Sequence, residues 1–330
     1  MKKWIAVFGG LLSAQLVLAI ALNMASDTYS AFEPTETLVA ANTEAINNLK
    51  IEDDKEQLVL SKRDGEWVLP GSGDFPADQS SVQRLLERLA DMKKGWPVAT
   101  TAGAAKRFKV ASDVFERKLT LLEDEKAVAT LYLGTSPGFR KVHVQPEGDD
   151  EVYAVAFNTW ELNTSADDWI DQDFVKIQDD DIEQIELHDV VLKHDGDQFH
   201  LADLRDGEKT KQDAVQSLVG RLTGMQVQSV LGAEELPEFR QEEPELEIRL
   251  LQKDGDTLTY RFSKPKDADY FVLKRSDLEY YFKVAEFAVS PIKDTVREKL
   301  VQLENDGEKE ASVDGESLVE ASKAVSEQNE

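Results

Sequence analysis

The sequence of 330 residues predicts an α+β protein with an N-terminal transmembrane helix, two tandem repeats and a disordered acidic C-terminal tail. Each repeat is expected to be an antiparallel sheet packed by one amphipathic helix. Three observations predict this organisation: a helical pattern that occurs twice, alternating apolar positions around that pattern, and a long uncharged run near the N-terminus.

The helical pattern is SSVQRLLERLADM at residues 80–92, which recurs as DAVQSLVGRLTGM at residues 213–225, 133 positions later. Its apolar positions fall at i, i+3, i+7 and i+10, on one face of a helix. The matches include polar Gln and Arg positions, which two unrelated amphipathic helices are not expected to share. The predicted buried face of the two helices consists of Val82, Leu85, Leu89, Met92, Val215, Leu218, Leu222 and Met225.

Alternating apolar positions predict a β-hairpin before each helix. In the first copy, Asp64-Gly65 is the turn between strands at residues 58–60 and 67–69. In the second copy, Asp195-Gly196 takes the same place. Trp67 and Phe199 follow these turns, and we expect each to pack on the next helix, with ligand stacking as the alternative.

Four further strands are expected after each helix, which gives a four-stranded antiparallel meander. Matching segments lie 136, 133 and 128 positions apart, and loop changes alone account for this drift. Residues 100–106 are interpreted as a connection and residues 292–303 as a closing helix. Trp96 and Trp160 are expected to pack in the core, with a binding groove as the alternative. The predicted meander strands are residues 118–122, 127–134, 141–145 and 152–157, then 247–252, 257–262, 270–273 and 280–284.

The uncharged run at residues 4–22, from Trp4 through Gln15 to Leu22, is 19 residues long. Because about 20 apolar residues cross a bilayer core, it predicts a membrane anchor. Two lysines precede it, and the positive-inside rule places them in the cytoplasm. The rest of the chain is then exported, into the periplasm of a double-membraned bacterium. A cleaved signal peptide that ends near residues 19–21 is the alternative.

The sequence therefore divides into five predicted parts. Residues 1–25 form a cytoplasmic stub and anchor, and residues 26–37 form a linker. Residues 38–173 and 174–303 are the two repeat modules. Residues 304–330 hold nine acidic residues and two lysines, so they cannot bury enough apolar surface to offset the entropy of ordering.

The composition excludes several kinds of partner and chemistry. A formal charge of −27 repels nucleic acid and anionic lipid, so contact with either through a broad basic patch is not expected. The chain has no cysteine, which excludes disulfides, thiolate metal sites, a catalytic Cys and a lipoprotein's lipidated Cys.

Motifs for catalysis and cofactors are also absent from the sequence. The four histidines do not form an HExxH or a paired motif, and there is no phosphate-binding glycine loop and no GxSxG elbow. The acidic runs at residues 149–151 and 179–181 lack EF-hand spacing, so solvated turns are favoured over a calcium site. We therefore expect no cofactor, no metal and no catalytic residue.

The order of these segments resembles a bacterial family catalogued as domain of unknown function 4340. The resemblance implies a membrane-anchored extracytoplasmic protein, often encoded beside components of gliding-motility-type ABC transporters. It offers no established catalytic residues. The chain departs from the family pattern at Phe108-Lys109-Val110, where a Phe-Gly-Leu-like turn is expected, and at Phe199, where the first copy has a Trp. The residues that carry the resemblance are Asp64-Gly65-Glu66-Trp67-Val68-Leu69, Phe75-Pro76-Ala77-Asp78, Val82, Leu85, Leu86, Leu89, Leu133-Gly134-Thr135, Val152-Tyr153-Ala154-Val155 and residues 169–177.

Three functional hypotheses follow. The first is a non-enzymatic accessory protein that is held in the membrane by one helix and docks, through a sheet edge or a cleft between repeats, on a protein of the inner membrane or periplasm. The second is a periplasmic hydrolase or ligand-binding protein that uses carboxylates. The third is a structural spacer in the envelope.

Overall fold

The computed structural model describes Gln15 and residues 36–304. The predicted anchor residues Trp4 and Leu22 and the predicted tail beyond residue 304 lie outside the described residues, and Gln15 is helical and exposed. No helix in the described part of the chain combines the length and apolar character that a membrane crossing requires. The α-helices within residues 36–304 are α1 (Gln79–Ala90), α2 (Ala102–Phe108), α3 (Gln212–Thr223) and α4 (Glu286–Lys293).

The first half of the chain contributes ten strands. They are β1 (Asn48–Glu52), β2 (Gln57–Arg63), β3 (Glu66–Leu69), β4 (Phe75–Pro76), β5 (Val110–Ala111), β6 (Val114–Phe115), β7 (Arg117–Glu123), β8 (Lys126–Leu133), β9 (Val142–Pro146) and β10 (Tyr153–Val155). Eight of them form a sheet in the order β10-β9-β8-β7-β1-β2-β3-β4, and β5 pairs with β6.

The second half contributes another ten strands. They are β11 (Ile182–Leu187), β12 (Val190–Asp195), β13 (Gln198–Leu201), β14 (Glu208–Thr210), β15 (Ser229–Gly232), β16 (Leu246–Gln252), β17 (Thr257–Ser263), β18 (Tyr270–Arg275), β19 (Tyr281–Ala285) and β20 (Val301–Leu303). The second sheet has the order β13-β12-β11-β16-β17-β18-β19-β15, and β14 pairs with β20.

The two sheets share the order of seven strands. In each, a four-stranded meander lies beside the first strand of a hairpin: β7 pairs antiparallel with β1, and β16 pairs antiparallel with β11. The eighth strand differs, since β4 extends the hairpin end of one sheet and β15 extends the meander end of the other. The predicted α+β fold with mostly antiparallel sheets is therefore confirmed.

The contacts between residues divide the chain into two compact units. Within residues 36–304, unit 1 comprises residues 36–61 and Ser80–Thr164, and unit 2 comprises Lys62–Gln79 and residues 165–304. The segment Lys62–Gln79 belongs to the second unit although it lies within the first predicted repeat. The repeat boundary at residues 173–174 concerns the sequence pattern and stays a prediction.

In unit 1, strand β1 buries the side chains of one face of the sheet. Leu49 and Ile51 alternate with half-buried polar residues along β1, as expected for a strand with one apolar face. A smaller cluster forms elsewhere in the unit, where Val110 and Ala105 pack with Tyr132 and Val152. The segment that contains α2 and β5 therefore covers part of the sheet, at the position of Tyr132.

In unit 2, α3 contacts β13 and α4, and α4 contacts β18 and β19. The segment Lys62–Gln79 adds Phe75, which is fully buried among aromatic rings. The ring centroid of Phe75 lies 5.0 Å from those of Phe174 and Tyr280 and 5.8 Å from that of Phe282. These are edge-to-face contacts, the arrangement that aromatic pairs favour.

Two predictions about local structure are wrong. Residues 100–106 are not a plain connection, because Thr101 caps α2 by accepting a hydrogen bond from the Ala104 amide, 3.3 Å away. Residues 292–303 do not form one helix. Instead α4 ends at Lys293, and the chain later forms β20, which pairs with β14. In this pair Val301 lies opposite Thr210, and Leu303 lies opposite Glu208. Long-range strand pairing overrides the local helical pattern here.

Candidate functional site

The residues singled out from the sequence pattern lie in the interior. All eight apolar residues of the repeated helical pattern are buried. Met92 and Met225 lie two residues beyond the ends of α1 and α3, so both helices are shorter than predicted. Trp67 and Phe199 are buried as well. None of these side chains is placed to meet a ligand from solvent.

The histidines make packing contacts. His143 stacks on Phe108 with ring centroids 4.1 Å apart, and burial lowers the pKa of its imidazole. His194 stacks on Phe199 at 4.5 Å. His200 lies 3.1 Å from the Gln212 amide nitrogen. Within residues 36–304 and Gln15, no cluster of His, Asp and Glu is arranged to hold a metal ion.

Unit 1 contains a cavity of about 460 Å³ between α2 and the β9–β10 turn. Ala105, Ala111 and Tyr132 provide its apolar wall. Its polar lining includes Lys106 and the carboxylates of Asp113, Glu147, Asp149 and Asp150. The volume suits a small ligand or a side chain of a partner protein.

The pKa values of Tyr132 and Asp113, two residues that line this cavity, are shifted away from neutral pH. Burial, together with the hydrogen bond that its hydroxyl donates to Glu147 over 2.9 Å, raises the pKa of Tyr132 to about 12. The hydrogen bond from Lys106, 2.6 Å long, lowers the pKa of Asp113. A general acid or base works best with a pKa near the operating pH. Tyr132 is therefore held protonated and Asp113 ionised, which suits binding better than proton transfer.

The turn between β8 and β9 is fixed to the C-terminal end of α2. The Thr135 amide donates to the Phe108 carbonyl at 2.8 Å, and a Cβ on Gly134 would lie 2.0 Å from the same oxygen. Only glycine allows so close an approach. Inside the turn, the Ser136 hydroxyl lies 2.7 Å from the carbonyl oxygens of Gly138 and Lys141. The tip of the turn is thus a hydrogen-bonded structure on a fixed base.

Three aromatic side chains in the described part of unit 1 are exposed. Phe139, in the β8–β9 turn, is 86% exposed, and Trp160 and Trp96 are 73% and 72% exposed. The prediction that Trp96 and Trp160 pack in the core is wrong, because both lie in short segments outside the sheets. Trp96 directly precedes Pro97, and Trp160 lies in the turn Thr159–Glu161. Large exposed aromatic residues are typical of surfaces that bind a partner.

The predicted free sheet edge is partly paired in unit 1. Beside β10, the Val98 amide donates to the Val152 carbonyl at 2.7 Å, and the Val152 amide donates to the Ala99 carbonyl at 2.8 Å. These bonds occupy the backbone groups of Val152, next to the start of β10. Strand addition at that position would first require the segment at residues 98–99 to leave.

The family described as domain of unknown function (DUF4340) matches residues 67–244, which is just over half of the chain. The chain belongs to this DUF4340 family. No curated protein and no solved structure matches the chain. The match begins at Trp67, so all the residues that carry the resemblance lie inside it except Asp64, Gly65 and Glu66.

The cavity and the exposed turn of this DUF4340 protein were not found from the sequence. The cavity depends on α2, which was interpreted as a connection. A signal for the turn was nevertheless present: Ser136-Pro137-Gly138 is a strong turn sequence, and the next three residues are Phe139, Arg140 and Lys141. An aromatic residue and two cations at a turn tip predict exposure.

Proposed function

We propose that this DUF4340 protein is a non-enzymatic accessory protein, anchored in the bacterial inner membrane by one N-terminal helix, with most of the chain in the periplasm. It consists of two copies of one α+β module and docks on a protein partner of the envelope, such as a component of an ABC-type transport system. The shared order of seven strands supports the duplication. Two lysines before an uncharged run of 19 residues support the anchor.

The observation that carries the docking function is the exposure of Trp96 and Trp160 in unit 1. Trp residues are enriched among the residues that contribute most to protein interfaces. The turn that holds Trp160 is itself fixed, because Glu161 forms an ion pair with Arg88 of α1 and accepts a hydrogen bond from Asn158. A turn that is already fixed loses little backbone entropy when its exposed indole binds a partner.

The carboxylate-lined cavity supports the alternative of a hydrolase less well. The pKa directions of Tyr132 and Asp113 favour binding over acid–base catalysis. A ligand-binding role for the cavity is compatible with the accessory function, since a partner's cationic side chain suits its four carboxylates.

Photo-crosslinking in intact membranes tests the docking function. A photoreactive phenylalanine analogue is placed at Trp160 in one full-length variant and at Glu125, in the exposed acidic turn between β7 and β8, in the control variant. We expect the Trp160 variant to form a discrete adduct with a membrane or periplasmic protein, and the Glu125 variant to form little. Recovery of only the unmodified chain from both variants would contradict the docking function.

The anchor is tested separately by fractionation. After an alkaline wash, the full chain is expected to remain with the membrane, and protease added to the periplasmic side is expected to degrade residues 36–304. A chain that washes off, or that is protected in the cytoplasm, would contradict the proposed anchor and orientation.

A further inference from the structure

The β8–β9 turn and the C-terminal end of α2 form a small basic surface on a strongly acidic protein. We name it the basic turn and define it as Arg107, Phe139, Arg140 and Lys141. Arg107 lies one residue before Phe108, whose carbonyl holds the base of the turn at Thr135. All four side chains are exposed. The chain as a whole carries −27 charges, so a cluster of cations here is a local exception.

The three cations of the basic turn are not neutralised by neighbouring carboxylates. Lys106 is paired with Asp113 at 2.6 Å, and Lys109 with Glu116 at 3.1 Å, so these two nearby lysines carry no net local charge. Within residues 36–304, no ion pair involves Arg107, Arg140 or Lys141. The guanidinium of Arg140 instead lies 5.0 Å from the centroid of the Phe139 ring. The turn thus presents an exposed aromatic ring with an unpaired guanidinium beside it.

This combination of groups matches an anionic lipid surface. An aromatic ring partitions into the boundary between headgroups and acyl chains, while Arg and Lys side chains interact with the phosphates. The acidic remainder of the protein does not prevent this contact. At physiological salt, charges more than about 8 Å from the surface are largely screened.

The position of unit 1 in the chain also favours a membrane as the occupant. The uncharged run of the proposed anchor ends at Leu22, and the described part of unit 1 begins at residue 36, 14 residues later. At roughly 3.3–3.6 Å per residue, this linker spans at most about 50 Å. An anchored unit 1 therefore remains close to the bilayer, where even weak interfacial contacts form at a high effective concentration.

We propose that the basic turn is a membrane-contact element that rests on anionic phospholipid headgroups, with Phe139 inserted between them. The element gives unit 1 a fixed orientation on the bilayer surface. The acidic turn at residues 123–125, at the other end of β8, then points away from the membrane, because β8 is eight residues long and its ends are roughly 26 Å apart. This inference rests on the proposed membrane anchor.

The absence of cysteine allows a direct test with a single label on the full chain. Gly138 is a suitable position, because a Cβ there meets no atom within 4 Å. The matched control is Glu125→Cys at the opposite end of β8. Both full-length proteins carry an environment-sensitive fluorophore and are reconstituted into vesicles of phosphatidylcholine alone or with phosphatidylglycerol. A spin label on the lipid headgroup serves as quencher.

We expect the fluorophore at residue 138 to be quenched in vesicles that contain phosphatidylglycerol and much less in neutral vesicles, with little quenching at residue 125 in either. The double charge reversal Arg140→Glu with Lys141→Glu should lower the ratio of docked to undocked protein at least about tenfold, since each cation near an anionic surface contributes about a factor of five. Phe139→Ser should lower it by a similar factor.

Two outcomes would overturn the inference. One is equal quenching at residues 138 and 125, or quenching that does not depend on lipid charge. The other is a change in the fluorescence of the label at residue 138 in native membranes without quenching in pure lipid vesicles. That result would indicate that the basic turn binds an acidic protein and not lipid. Failure of the anchor is distinguished by flotation with vesicles of phosphatidylcholine alone at high salt, where a chain with a functional anchor floats and a chain without one does not.

Discussion

At the scale of single residues, a buried arginine closes the C-terminal part of unit 2. The guanidinium of Arg297 donates to Asp203 at 3.0 Å and to Glu208 at 2.5 Å, and also to the backbone carbonyl of Asp203. These bonds join the segment before β20 to Asp203 and to Glu208, the first residue of β14. Bidentate arginine–carboxylate contacts of this kind are stronger and more directional than single ion pairs.

The pair of Arg297 and Glu208 predicts a dependence of stability on pH. The hydrogen bond from Arg297 lowers the pKa of Glu208 from 4.5 to about 2. Because the folded-state pKa is lowered, the ionised carboxylate stabilises unit 2 above about pH 4.5, and this contribution is lost as the pH falls through about 2. Glu208→Gln should therefore reduce the decrease in the urea midpoint of unfolding that accompanies a fall in pH from about 4.5 to about 2.

The control for this measurement is Glu183→Gln, at an exposed position of β11. It should leave the pH profile of the urea midpoint unchanged. A Glu208→Gln profile parallel to that of the original protein would show that the carboxylate does not stabilise the fold.

Burial of single residues was predictable where a periodic pattern repeats. Val82 and Val215 both have no exposed surface, as the helical spacing predicts. The exposure of Trp96 was not predictable in this way. Its neighbours are Gly95 and Pro97, so no periodic pattern assigns it to a face, and its environment is set by tertiary structure.

At the scale of elements, α2 ends in a residue that is unusual for its conformation. Lys109 follows the helix with φ of 55°, in the left-handed region, and its amide bonds back to the carbonyls of Ala105 and Lys106. Glycine is the residue that this position favours. The family pattern of a Phe-Gly-Leu-like turn places a glycine here, and the geometry gives its physical reason.

Lys109→Gly should therefore stabilise unit 1. Relief of the left-handed strain is worth about 1 kcal/mol, and the greater entropy of glycine in the unfolded chain offsets part of it. The lost ion pair with Glu116 is exposed and contributes little. A higher urea midpoint for the full chain checks this prediction. Lys109→Ala, which loses the ion pair but keeps the strain, is the matched control and should not be stabilising.

Elements with local signals were predictable from the sequence, and those that depend on distant pairing were not. The predicted strands at residues 58–60 and 67–69 lie within β2 and β3, and the Asp64-Gly65 turn has positive φ at both residues, as a tight hairpin turn requires. The pairing of β1 with β7 was not predicted, since it joins Ile51 to Leu119 across a long stretch of sequence. The same holds for β14 and β20.

At the scale of the whole molecule, Phe75 belongs to unit 2 although its position in the sequence is in the first half. Its segment is held there by several bonds. The Tyr280 hydroxyl donates to the Gly73 carbonyl at 3.0 Å, and the Asp171 amide donates to the Pro76 carbonyl at 3.0 Å. A repeat recognised from sequence therefore does not define which residues stabilise one another.

Phe75→Ala should selectively weaken unit 2. Removal of a fully buried phenylalanine costs about 3–5 kcal/mol. We expect hydrogen exchange to accelerate in β18 and β19, while β8 and β9 keep their protection. Phe157→Ala, an equally buried residue of unit 1, is the matched control and should show the reverse pattern. Faster exchange in β8 and β9 alone after Phe75→Ala would contradict the assignment of this segment to unit 2.

The placement of the segment Lys62–Gln79 affects how the newly made chain matures. Gly73 and Tyr280 are 207 positions apart, which at a synthesis rate of 5–20 residues per second corresponds to about 10–40 s. Until the end of that interval the ring of Phe75 lacks Tyr280 and Phe282, two of the three aromatic rings that later pack against it. A nascent chain in this state is a natural client for a holding chaperone, and its release has to wait until the last strands of the protein have emerged.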